Sequence, residues 1–66
     1  MQIFINDQAQ EVSAQTLADL LKSLGVAQEP AVAAALNGQV VPRSQWPQHH
    51  LQEGARVLII RAAQGG

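Results

Sequence analysis

Thr16-Leu17-Ala18-Asp19-Leu20-Leu21-Lys22-Ser23-Leu24-Gly25 is the stretch on which the fold turns. Leu17, Leu20, Leu21 and Leu24 recur at i, i+3, i+4 and i+7, the spacing of one apolar stripe on a helix, while Ala18, Asp19, Lys22 and Ser23 fall mostly off it. Thr16 stands three residues before Asp19, close to the capping-box pattern, and Gly25 supplies a residue able to take the left-handed conformation past the last turn. The pattern predicts one amphipathic helix of about three turns. Everything on either side of it reads as strand or turn.

Before the helix, Gln2-Ile3-Phe4-Ile5-Asn6 is β-branched and aromatic, and Asp7-Gln8 leads into Ala9-Gln10-Glu11-Val12 as a returning strand. After it, the run Ala31 to Leu36 meets Asn37-Gly38, the pair that two-residue hairpin turns favour because both positions need positive φ, and Gln39-Val40-Val41 pairs back. Pro42 and Pro47 bracket Arg43-Ser44-Gln45-Trp46, with too many backbone breaks for a central strand, so this part is expected to be irregular with at most a short helical turn. Glu53-Gly54 marks another turn. Arg56-Val57-Leu58-Ile59-Ile60-Arg61 is almost unbroken apolar sequence and belongs in the middle of a sheet.

Hairpin, helix, hairpin-like pair, irregular segment and final strand make an α+β domain of the β-grasp type, a mixed sheet of four to five strands with one main helix packed on one face. Period two puts Ile3, Ile5, Val57 and Ile59 under the helix, with Val32, Ala34 and Leu36 if their strand keeps the same phase. Phe4, Leu58 and Ile60 then point away from the helix. Three large apolar residues on a face with no helix to cover it predict a docking surface for another protein.

Composition narrows the chemistry. The chain has 66 residues, 47% hydrophobic and 14% charged, enough apolar content for one small core and nothing to spare for a second domain. With no cysteine there is no disulfide, no thiolate nucleophile and no Cys-based zinc site. A formal net charge of -1 with scattered Lys22, Arg43, Arg56 and Arg61 gives no basic stripe for nucleic acid. No segment has the length of a membrane span and the N-terminus has no signal-peptide pattern, so a cytoplasmic location is expected. His49 and His50 are adjacent and face opposite ways in an extended segment, poor geometry for a shared metal. Asp7, Glu11, Asp19, Glu29 and Glu53 fall on turns, loops and the helix surface, with no acid/base pair among them, so no catalytic residue is assigned. Trp46 is either the plug of a minor core or a partner anchor. Arg43 and Arg61 either face solvent or steer toward an acidic partner.

The tail carries the remaining chemistry. Residues 1–62 are expected to form the domain and 63–66 a flexible tail ending in Gly65-Gly66. Glycine has no Cβ, passes a narrow channel and leaves the terminal carbonyl open to attack. A free carboxylate is inert until activated, for instance as an acyl adenylate, and the chain has no phosphate-binding loop or cofactor site of its own. A second protein must supply the catalysis.

Leu36-Asn37-Gly38-Gln39-Val40-Val41-Pro42-Arg43 with Trp46, and Ile60-Arg61-Ala62-Ala63-Gln64-Gly65-Gly66, resemble the ubiquitin-like sulfur carriers of thiamine biosynthesis over nearly the whole chain. The Gly-Gly ending is shared with ubiquitin and the small subunit of molybdopterin synthase; Val-Val-Pro-Arg followed by Trp46 is more particular to the thiamine carriers. The resemblance implies that a ubiquitin-activating-type adenylyltransferase uses ATP to adenylate Gly66 and that sulfur originating from a cysteine desulfurase displaces AMP. The resulting thiocarboxylate would feed thiazole synthase. Gly66 would bear the sulfur and Gly65 give access. Ala55 stands where the family suggests Asp, a departure that touches a local turn. A molybdopterin-type carrier, a protein modifier joined to lysines through Gly66, and a plain interaction module remain as alternatives.

Overall fold

The computed structural model describes residues 1–61. Five strands and one α-helix follow in the order β1 (Gln2–Ile5), β2 (Gln8–Glu11), α1 (Leu17–Ser23), β3 (Val32–Leu36), β4 (Gln39–Val41) and β5 (Arg56–Arg61), with a 3-10 helix at Arg43–Gln48. The sheet runs β2-β1-β5-β3-β4. β1 lies parallel to β5 and the other neighbours are antiparallel, so the sheet is mixed and the apolar last strand sits at its centre.

Both hairpins close through two residues of positive φ. Asn37 (φ 51) and Gly38 (φ 88) join Leu36 to its partner Gln39, as their sequence predicts. The first hairpin turns one residue earlier than expected, at Asn6 (φ 50) and Asp7 (φ 69), and Gln8 already pairs with Ile5. Asn and Asp tolerate the left-handed region better than Gln does, and this register keeps Ile3 and Ile5 on the covered face.

The helix is shorter than its leucine stripe suggests. It has seven residues, about two turns, started by Thr16, whose Oγ1 accepts the Asp19 N–H at 3.1 Å. It stops because Gly25 takes φ 79: the Gly25 N–H donates to the Lys22 carbonyl at 3.0 Å and the Val26 N–H reaches back to Leu21 at 3.1 Å. That pair of bonds is a Schellman ending, and it folds Val26 back over Leu21. Val26 therefore closes this end of the core, while Leu24, the last leucine of the stripe, is left 41% exposed.

Ile3, Leu17, Leu20 and Leu21 are fully buried, and Ile5, Val32, Ala34, Val41, Trp46, Leu51, Ala55 and Val57 complete the same core. Ile59 and Leu36 pack partly against it, so the expected phase of β1, β3 and β5 holds throughout. Full burial of one such aliphatic side chain contributes about 1.5–3 kcal/mol, and a domain this small depends on nearly all of them. Trp46 belongs to this single core rather than to a separate minor one or to a partner surface. Its Nε1–H donates to the Val41 carbonyl at 2.9 Å, which satisfies the one polar group that its burial removes from water.

Arg43 is exposed yet engaged within the chain. Its guanidinium donates to the main-chain carbonyls of Ala27 and Glu29, reaches that of Val32 at 3.3 Å, and lies 4.5 Å from the centre of the Trp46 ring. One side chain thereby ties loop 26–31 to the 3-10 segment. The planar fork of arginine suits this role, since it serves several carbonyls and a ring face together.

Candidate functional site

Along β1 and β5 the side chains that miss the helix face share the other side of the sheet. Phe4 is half-buried, Leu58 is 48% and Ile60 44% exposed, so the three expected surface residues stand together on the uncovered face. The register shows how. Phe4 lies beside Arg56 across the β1–β5 pairing, and Leu58 and Ile60 follow two and four residues on along β5. On the far side Leu58 pairs with Ala35 and Ile60 with Ala33. Ala35 is 8% exposed and forms the floor between Leu58 on one flank and Val40 on the other.

Two members of this face are absent from the residues that the sequence singled out. Val40 is 70% exposed and lines the same shallow groove as Phe4, Leu58 and Ile60. The signal was present: a two-residue turn at Asn37-Gly38 sets Val40 opposite Ala35, out of phase with Leu36 and so on the open side. Arg56 is the other, its guanidinium 5.0 Å from the centre of the Phe4 ring. A cation over an aromatic face keeps its charge available while its stem covers apolar surface. The patch is thus apolar, with the positive Arg56 and the acidic Asp7 at its edge.

No buried side-chain polar atom lacks a partner among the described residues. No cluster of His, Asp or Glu suited to a metal occurs among those residues either. His50 is exposed, and the His49 carbonyl accepts the Leu17 N–H at 2.9 Å, a structural duty at the helix start. Glu53 accepts the Gln2 N–H, and Glu29 meets Arg61 at 3.4 Å. No helix among the described residues is long and apolar enough to cross a membrane.

Gly65 and Gly66, the residues expected to carry the chemistry, lie outside the described residues. What is described is the strand from which they follow: Arg61 ends β5, held on one side by its pairing with Val32.

One helix on a mixed five-stranded sheet of this order, with the last strand central, defines a ubiquitin-like β-grasp domain. Known proteins narrow the class. The model of the ThiS family matches residues 3–66. Sulfur carrier protein ThiS of Escherichia coli (strain K12) is 46% identical over 67 residues, spanning the whole of both chains. The crystal structure of the thiamine biosynthesis protein ThiS from Geobacter metallireducens superposes with a TM-score of 0.82 at 29% identity, each chain fully covered. The solution structure of a thiamine biosynthesis protein from the same organism gives 0.81 at 28%, covering all of this chain and 88% of the other. This chain belongs to the ThiS family.

Proposed function

We propose that this protein is a sulfur carrier of thiamine biosynthesis, a co-substrate with no turnover of its own, whose working group is the carboxylate of Gly66. The observation that carries the reading is the family match, which runs through the central strand and the tail to residue 66. In this reading residues 1–62 are the folded carrier and 63–66 the segment that enters a partner's active site. A ubiquitin-activating-type adenylyltransferase joins the Gly66 carboxylate to AMP, with pyrophosphate leaving from ATP. Sulfur from a cysteine desulfurase system, carried as the terminal sulfur of a protein persulfide, then attacks the activated carbonyl; a C–S bond forms, the bond from carbonyl carbon to phosphoryl oxygen breaks, and AMP departs. A second thiol then cleaves the S–S bond of the acyl disulfide, releasing the thiocarboxylate and leaving a disulfide behind. The thiocarboxylate passes its sulfur to thiazole synthase.

The open face supports docking in this scheme. Leu58 and Ile60 on β5, the strand that leads toward the tail, with Phe4 on β1 and Val40 on β4, offer an apolar contact, so a partner seated there holds the carboxylate within a limited reach. Arg56 adds a charge that an acidic partner group can meet. Gly65 gives the channel room, having no side chain to pass.

The test is the accurate mass of the C-terminal fragment from thiamine-starved cells. The fragment isolates Gly66 from oxidation of Met1, which would imitate the shift in the intact chain. One oxygen replaced by sulfur at Gly66 is the expected result. A bare carboxylate in cells with an active pathway would overturn the reading, and Gly66 found in isopeptide linkage to lysines would replace it with protein modification.

A further inference from the structure

β5 is paired along only part of one edge. The Phe4 N–H donates to the Ala55 carbonyl and the Asn6 N–H to that of Val57, both at 2.9 Å, while the Asn37 N–H donates to Arg56 at 2.7 Å from the opposite side. Main-chain groups alternate in direction along a strand, so those of residues 55, 57, 59 and 61 point toward β1 and those of 56, 58 and 60 toward β3. β1 stops pairing at Ile5 opposite Val57, where the chain turns at Asn6. The Asn6 side chain stands in for one more residue of strand, its Oδ1 accepting the Ile59 N–H at 2.8 Å. Beyond it the Ile59 carbonyl and the Arg61 N–H face a groove lined by Asn6, Leu24, Val26, Ile59 and Arg61, with no strand on that side among the described residues.

We infer that this free edge receives an extended segment of the partner that acts on Gly66, added to the sheet beside β5. This rests on the carrier reading above. The segment would accept the Arg61 N–H, donate to the Ile59 carbonyl, and lay an apolar side chain on Leu24 and Ile59, in phase with the helix-side face. Three observations favour a partner strand as the occupant. The edge offers main-chain hydrogen-bonding groups, the groove wall includes Leu24, which the helix ending leaves 41% exposed, and the edge ends at Arg61, two residues short of the 63–66 segment that carries Gly66. Pairing here would hold the end of β5 on both sides and fix the direction in which the chain leaves it toward Gly66, a task that the face around Leu58 leaves undone.

Amide hydrogen exchange read by NMR tests this, in the free chain and in complex with the adenylyltransferase that converts Gly66 in the mass assay. The Arg61 amide should exchange freely alone and at least about tenfold more slowly in the complex. A synthetic chain with the Ile60–Arg61 amide replaced by an ester keeps every side chain and removes that one donor, while weakening the Ile60 carbonyl that faces β3. With an Arg61–Ala62 ester, which retains the Arg61 N–H, and the urea midpoint of each free chain as controls, its affinity should fall about tenfold. Conversion of Gly66 with an Arg61 amide that stays unprotected would overturn the pairing and leave the carrier reading intact. Protection already present in the free chain would assign the edge to the chain itself and overturn the partner strand. Failure of any adenylyltransferase to convert the unmodified chain would overturn the carrier reading and this inference with it.

Discussion

β1 and β5 serve two sides of the sheet with alternate residues, and the two sides obey different rules. Ile3, Ile5 and Val57 sit under the helix, none more than 7% exposed, whereas Leu58 and Ile60 on the reverse are nearly half exposed although just as apolar. Hydrophobicity alone does not separate the two sets. The difference is what covers them: Leu17, Leu20 and Leu21 press on one side, and nothing among the described residues presses on the other. One face is therefore fixed by folding, and the other is available for contacts with a partner.

The sharpest way to break this comparison is to truncate one leucine on each side. Leu20→Ala removes a fully buried side chain from the core and should destabilise the domain by about 2–5 kcal/mol. Since a single core of this size supplies only about 3–5 kcal/mol, urea titration followed by Trp46 fluorescence should find much of the variant unfolded without denaturant. Leu58→Ser should leave the urea midpoint almost in place, within about 0.5 kcal/mol. Its effect should instead appear in binding to the adenylyltransferase, as a loss of about 2 kcal/mol or more if Leu58 is central to the contact. Equal stability losses in the two variants would show that the open face is core after all.

Much of that distinction is legible in the sequence, because period two in β5 and the Asn37-Gly38 turn are local signals. Local signals also place the N-cap at Thr16 and the left-handed stop at Gly25. They fail where a residue's fate depends on a chain segment far away. The stripe assigns Leu24 to the core, yet the Schellman ending brings Val26 there instead. Val40 joins the open face through its register with Ala35, which requires counting across the turn rather than along the strand. Arg43 is the clearest case: its carbonyl partners lie 11 to 16 residues earlier, in a loop and the first residue of β3, with no periodicity to reveal that they converge. Gly65 and Gly66 are the reverse, conspicuous in sequence and outside the described residues.

Arg43 sharpens the comparison, since it supports the covered side from the outside. Arg43→Lys keeps a positive charge but loses the fork and the flat surface over Trp46, and should destabilise by about 1–2 kcal/mol. The urea midpoint should fall while adenylation of the folded fraction stays unchanged. A variant that remains as stable but is adenylated more slowly would mean that Arg43 meets the partner, as one reading of the sequence had it.

The smallest effect belongs to the ion pair at the root of the tail. Glu29 and Arg61 stand 3.4 Å apart with side chains 46% and 62% exposed, so water screens their attraction and both long side chains lose rotamer freedom in holding it. Glu29→Gln should therefore change stability by no more than about 1 kcal/mol, and the difference from the parent chain should vanish in high salt. The Glu29 carbonyl still accepts from Arg43 in this variant, so loop 26–31 keeps its main anchor and the core is not disturbed. A larger loss, or one that persists in high salt, would mean that the Glu29 carboxylate does more to fix the loop than its exposed pairing with Arg61 accounts for. Combining the substitution with Arg43→Lys then separates the two contributions. Additive losses place the carboxylate and the guanidinium fork in independent roles, and a shortfall from additivity shows that the loop is held as one unit, with the end of β5 tied to the 3-10 segment through it.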